Sequence, residues 1–220
     1  MKKLFALPIL IALFAVSLTG CLKESITGSG TIVTENRTIS SPFSEIRVEG
    51  SMNVLVKQGD TVKVVAKDYA NILPYLDIRV ISNVLVISYE NNAQISNSAG
   101  EVTVTLPKLI GVELVGSGNI STINNFNFTD LSLNTSGSGN LSFAGTCKTL
   151  NALISGSGDI RAYGLPTETI RASISGSGNM QLNVSRALNA TILGSGNIIY
   201  KGNPTTLTIS VSGSGSVRKF

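Results

Sequence analysis

Two features of this chain could do chemistry: a cysteine, Cys21, behind a short apolar run, and a Gly-Ser-Gly motif that recurs through the second half, as in "SGSGN" at residues 136–140. Glycine-rich strings can cradle phosphates, because backbone N–H groups converge where a loop opens a helix, and a Walker loop adds Lys and then Ser or Thr. Here a strand-like segment follows each motif and no such Lys is present. Nucleotide binding is therefore set aside.

Acid–base chemistry finds little to work with. The chain has no His and no Trp, which removes the commonest general base, the commonest nitrogen ligand for a metal and the best ring for stacking on a sugar. Glycoside hydrolysis needs a pair of carboxylates, and lyases want clustered acids with a basic residue. Only Asp159 is acidic along the motif rows, with Arg161 and Arg171 nearby in sequence. A polysaccharide-acting enzyme is thus the alternative reading; the preferred one is non-catalytic, with no cofactor and no metal. The 17 basic residues fall to 15 without Lys2 and Lys3, against 13 acidic, and they do not cluster. That is no nucleic-acid footprint.

Lys2 and Lys3 precede the apolar run "LFALPILIALFAVSL", which is long enough for a signal peptide and short for a spanning helix. It ends in Leu18-Thr19-Gly20-Cys21, which resembles the bacterial lipoprotein signal. The resemblance implies cleavage before Cys21, a diacylglycerol thioether on its sulfur and attachment to a membrane. Leu22 after the cysteine favours the outer membrane, facing either the periplasm or the cell surface. Cys147 is the only other cysteine, so the mature fold has no internal disulfide, and Cys147 reads as a small apolar core or turn residue.

The elements that position the motif follow from its period. Its first glycines are Gly116, Gly137, Gly156, Gly176, Gly194 and Gly213, spaced by 21, 19, 20, 18 and 19 residues. Through every copy, apolar and polar residues alternate in one register. In the second copy Leu131, Leu133, Thr135, Gly137, Gly139, Leu141 and Phe143 share one parity, and Ser132, Asn134, Ser136, Ser138 and Asn140 share the other. Period two means strands, with the apolar parity facing a core. Each unit reads as strand, Gly-Ser-Gly bend, strand and a turn of several residues such as "AGTCKT". Such a unit cannot bury its face alone, so the units stack in parallel as a β-helix, one rung per repeat.

Both glycines fall on the inward parity, and the residues between and after them face out. The outward rows are Ser117, Ser138, Ser157, Ser177, Ser195 and Ser214, and beside them Asn119, Asn140, Asp159, Asn179 and Asn197. These rows are the candidate surface for recognition, and they can also hydrogen-bond from rung to rung.

The sequence divides into a signal segment, 1–20, a tether, 21–30, an N-terminal β region, 31–108, and the β-helix repeats, 109–220. Within the β region, Ile46, Val48, Gly50, Met52, Val54 and Val56 carry the parity of a repeat, with Met52 at the second glycine position. This is a degenerate first rung interrupted by a hairpin insertion, with turns at Gln58-Gly59-Asp60 and Ser82-Asn83. The irregular half would cap one end of the column. The other end, "SVRKF", would be covered by another subunit or left as a charged edge.

The order of elements from residue 28 to residue 220 resembles one bacterial envelope family, the "putative auto-transporter adhesin head, GIN domain" proteins. The matching pieces are Gly28-Ser29-Gly30, Arg37, "PFSEIRVEGSMNVLVKQGD", "VLVISY", "VTVTLPKLIGVELVGSGNI" and the repeated GSG[ND] motifs. The resemblance implies an all-β fold with a right-handed parallel β-helix and a location in the cell envelope. It carries over no catalytic residue. The expected function is a lipid-anchored adhesion or binding module, or a structural scaffold, with a glycan or a protein as ligand; self-assembly at the surface and homo-oligomerisation are further options.

Overall fold

The computed structural model describes residues 25–90 and 93–220. The signal segment and Cys21 lie outside the described residues. Among those described, the chain is all-β, with a short 3-10 turn at Leu73–Tyr75. The first half holds β1 (Ser25–Thr27), β2 (Ile32–Arg37), β3 (Glu45–Gly50), β4 (Asn53–Gln58), β5 (Lys63–Tyr69), β6 (Leu76–Ile81), β7 (Val84–Tyr89), β8 (Gln94–Ser96) and β9 (Glu101–Leu106). The second half alternates long and short strands. They are β10 (Gly111–Gly116) and β11 (Asn119–Thr122), β12 (Phe126–Gly137) and β13 (Asn140–Ser142), β14 (Gly145–Gly156) and β15 (Ile160–Arg161). Then come β16 (Thr167–Gly176), β17 (Asn179–Gly194), β18 (Asn197–Lys201), β19 (Thr206–Gly213) and β20 (Ser216–Lys219).

The repeats form a parallel β-helix in the register that their glycines suggest. Gly116 pairs with Gly137, Gly137 with Gly156, Gly156 with Gly176, Gly176 with Gly194 and Gly194 with Gly213. The long strands make one sheet, and the short strands after each Gly-Ser-Gly corner make a second. Inward rows are mostly apolar from rung to rung: Leu131, Leu150, Ile170 and Leu188 in one, and Ile154, Ile174 and Ile192 above the buried Thr135 in another, these seven apolar residues at most 1% exposed. Each such side chain contributes about 1.5–3 kcal/mol by leaving water, so the stack supplies what no single rung could.

One expectation needs correcting. Segments read as turns, such as "AGTCKT", lie largely within the long strands. The inward parity changes there: Phe128 and Leu131 are buried with Thr129 and Asp130 both exposed between them, and the pairing skips at Thr129 and Lys148. Two outward residues in succession turn the strand, which places a second corner without a loop on the rungs of β12, β14 and β16. In β17 even the connection between rungs is strand, which fits the shortest spacing, between Gly176 and Gly194.

Below the first Gly-Ser-Gly rung, β3 pairs with β10 and β4 with β11, so that Gly50 lies under Gly116 and Val54 under Ile120. The insertion that follows is more than a hairpin. β7 runs parallel beneath β3 and β9 parallel beneath β4, which adds one further rung. Gln58-Gly59-Asp60 therefore does not join neighbouring strands, because β9 lies between β4 and β5. Its Val102 and Val104 continue the inward rows of Val54 and Val56, and this burial selects β9 for the seat. Ser82-Asn83 is the two-residue turn of a true hairpin, β6–β7, with both residues at positive φ, 49° and 72°.

Beyond this rung the direction reverses. β6 is antiparallel to β7, β5 to β9 and β2 to β5, which closes that end of the column. The described part of the expected tether, Ser25–Gly30, is also tied down. β1 pairs with β8, and Gly28 and Ser29 are held by Asn97 and Asn71. A β-carbon at Gly28 would lie 2.3 Å from the Asn97 carbonyl oxygen, so this early Gly-Ser-Gly is a docking point and no rung.

Candidate recognition surface

The Gly-Ser-Gly corner is fixed by its glycines. Gly116, Gly137, Gly156, Gly176, Gly194 and Gly213 hold φ between 124° and 137°, a region that side-chain-bearing residues rarely enter. The second glycines do not need positive φ. There the constraint is space, since a β-carbon at Gly158 would lie 2.0 Å from the Gly139 oxygen. Backbone N–H groups of the corner donate to the rung below, as from Ser138 to Gly116 at 3.0 Å and Ser157 to Gly137 at 2.8 Å.

Ser117, Ser138, Ser157, Ser177, Ser195 and Ser214 are all exposed. The row beside them is bonded to itself. Asn119 donates from Nδ2 to Asn53 Oδ1 (2.9 Å), Asn140 to Asn119 (2.9 Å) and Asn197 to Asn179 (3.2 Å). Asn140 Oδ1 accepts from the Asp159 backbone N–H, Asp159 Oδ1 from the Asn179 backbone and side chain, and Asn197 Oδ1 from the Ser216 backbone and hydroxyl. The Asn/Asp row thus spends much of its hydrogen-bonding capacity on holding rungs together.

Asp159 is engaged on its other oxygen too, where Arg161 Nη2 donates at 3.0 Å. Arg171 stands apart from this pair, on the outward face of the long-strand sheet. Among the described residues no three His, Cys, Asp or Glu side chains gather as a metal site, and no helix is long and apolar enough to cross a membrane. Cys147 is buried, its Sγ donates to the Thr149 carbonyl at 3.2 Å, and desolvation pushes its pKa up to about 11. It is a core residue with a quiet thiol.

The surface that sequence reasoning missed is the outward face of the long strands. Two depressions lie along it, of about 450 Å³ and about 340 Å³, and Asn134 lines both. Their floor is a column running up the sheet: Arg47, Glu113, Asn134, Leu153, Ser173 and Thr191 are successive register partners. A parallel column holds Glu45, Gly111, Ser132, Asn151, Arg171 and Asn189. At the lower end Arg47 bridges strands, with Nε 2.8 Å from Glu49 Oε1 and Nη1 3.5 Å from Glu113 Oε2, and Arg79 pairs with Asp77. The signal was present in the motif: counted back from each first glycine, positions three and five residues earlier are the two columns.

The fold is shared with solved structures. A "putative adhesin" from Bacteroides fragilis is 23% identical with a TM-score of 0.76, over 89% of this chain and 100% of that one. A "putative lipid binding protein" from Parabacteroides distasonis is 22% identical with a TM-score of 0.60, over 90% of this chain and 100% of that one. A "putative adhesin" from Parabacteroides merdae is 23% identical with a TM-score of 0.58, over 89% and 99% of the two chains. No curated protein matches the chain. Residues 42–204 match the family described as "Putative auto-transporter adhesin, head GIN domain", and with most of its length inside that match the chain belongs to this family.

Proposed function

We propose that this protein is a lipid-anchored, non-catalytic binding module of the bacterial cell envelope, and that its ligand is an extended polar polymer, a glycan above all, laid along the outward face of the long-strand sheet. One observation carries the reading: the two depressions follow one another along the long-strand sheet and share Asn134 in their linings, so that together they mark a path up the stacked rungs. Amides, hydroxyls and the guanidinium of Arg171 line its upper part. A polymer in that path meets a new polar row every ~4.8 Å, the spacing of hydrogen-bonded strands. Membership in an adhesin-head family supports a place at the cell surface or envelope. The Leu18–Cys21 box supports the anchor, since each buried methylene of an acyl chain contributes ~0.8 kcal/mol and two or three chains make attachment lasting.

The Gly-Ser-Gly corner fits a scaffold better than a ligand site, because its Asn/Asp row is already hydrogen-bonded to itself. The two surfaces separate in one experiment. The full chain in detergent is passed over immobilised bacterial-envelope and host glycans of graded length. Binding should tighten with chain length, fall about tenfold in Asn134→Ala or Arg171→Ala, and persist in Ser138→Ala. No retention on any glycan, or retention indifferent to Asn134 and Arg171, would remove the groove from consideration. For the anchor, protein extracted from the membrane fraction should lack residues 1–20 and carry acyl chains on Cys21 by intact mass, and Cys21→Ser should abolish both; an unacylated wild-type chain would refute lipidation.

A further inference from the structure

The C-terminal rung departs from the burial pattern of the rungs beneath it. In β17, Leu188, Ala190 and Ile192 are at most 1% exposed, whereas their register partners in β19, Leu207, Ile209 and Val211, are 45%, 44% and 41% exposed. These three share the inward parity, so what they lack is a neighbour on the far side. Among the described strands β19 pairs only with β17, and the other edge of its eight residues is unpaired.

Exposed edges are usually blunted by charge, proline, a bulge or shortness. "TLTISVSG" has no charged residue and no proline, and its register with β17 runs unbroken from Thr206 to Gly213. The opposite end of the column is finished differently. It turns to the antiparallel strands β2 and β6, which carry Glu35, Arg37, Asp77 and Arg79.

We propose that β19 is the seat of a second copy of this chain, joined tail to tail by antiparallel pairing about a twofold axis at Ile209. The strand is complementary to itself about that residue. Leu207 falls opposite Val211 of the partner subunit, Ile209 opposite itself, and Thr208 opposite Ser210 of the partner subunit, so apolar residues stay on the core side and hydroxyls outside. No charge meets its own copy. The other free strand of the rung, β20, ends in Arg218 and Lys219, so a twofold pairing about either residue or between them would bring like charges together, which is destabilising. The join continues the rung-to-rung packing of the column. It covers the free β19 edge of both copies at once, so association stops at a dimer, whereas head-to-tail contact would meet the charged cap and propagate.

The full chain in density-matched detergent, followed by sedimentation equilibrium, should show a reversible monomer–dimer system. Ile209→Lys should weaken it by about tenfold or more with its far-ultraviolet circular dichroism unchanged. Ile209→Cys should form a covalent dimer under mild oxidant, because the two copies of this residue face each other at the short distance of an antiparallel pair. The wild-type chain, which carries Cys21 and Cys147, sets the background, and Ile32→Cys at the capped end should add nothing to it. A strictly monomeric chain, a dimer insensitive to Ile209→Lys, a failure of Ile209→Cys to cross-link, or growth into fibres would each overturn the proposal.

Discussion

The carbonyl oxygen of Gly156 stands 2.2 Å from where a β-carbon on Gly176 would be, and Gly176 itself holds φ at 135°. The residue is therefore required to be glycine twice over, once by its own backbone and once by the rung below. Gly50, at the foot of the same row, has φ of 113° but nothing within 4 Å of a notional β-carbon.

The pair separates the two constraints. Gly50→Ala should cost about 1–2 kcal/mol from backbone strain alone. Gly176→Ala should cost about 3 kcal/mol or more, because backbone must shift to relieve the contact. Urea unfolding of both variants measures the difference, and equal losses would show that φ alone sets the requirement.

The amide ladder makes a second prediction. Asn140→Ala strips Asn119 Oδ1 of its donor and the Asp159 N–H of its acceptor. At this partly exposed corner water replaces some of what is lost, so a cost of about 1 kcal/mol is expected. Ser138→Ala, one row over and exposed, should stay within about 0.5 kcal/mol of wild type. Thermal or urea midpoints of the two variants test the ordering, and a larger loss at Ser138 would reassign the structural row.

Much of this architecture is legible in the sequence because the parity of the repeats is strict. Six glycine pairs in one register set the rungs, and even the degenerate rung at Ile46–Val56 shows through its alternation. The insertion was legible only in part. Val102 and Val104 have the right parity, but nothing local tells them to sit beneath Val54 and Val56 in place of β5, because long-range pairing is decided by which strand completes the core. The outward depressions are hidden in the sequence for a related reason. Asn134, Asn151 and Arg171 look like ordinary solvent-facing residues until stacking sets them in adjoining columns.

Cys147 makes a prediction about pH. Burial raises its thiol from the ordinary 9.0 to about 11, with a backbone hydrogen bond at Thr149 as a smaller, opposing influence. At pH 8 the folded chain should resist iodoacetamide at this residue and react only after denaturant is added. The raised pKa favours the protonated folded form, so its contribution to stability is fully present below pH 9 and is lost as pH rises from 9 towards 11. Cys147→Ala should flatten that part of the stability profile, and an unchanged alkaline slope would assign the loss to other groups.

Asp68 shows how the lowest rung manages without a Gly-Ser-Gly corner. It is 2% exposed; its Oδ1 accepts from the N–H groups of Tyr69 (2.8 Å) and Ala99 (2.9 Å), and its Oδ2 from the Ser98 hydroxyl (2.7 Å). The carboxylate thus fixes the turn between β8 and β9 from beneath, and a β-carbon at Gly100 would lie 2.8 Å from Oδ2. Removing it in Asp68→Ala leaves those donors without their acceptor, at a cost of about 3 kcal/mol. Asp68→Asn keeps the shape and one carbonyl oxygen, and should lose less. Hydrogen exchange separates a local role from a general one: residues 94–100 should lose protection in Asp68→Ala well before the rungs above Gly116 do. Uniform loss along the column would mean that Asp68 supports β5 and the whole cap, with the turn following only because the cap has gone.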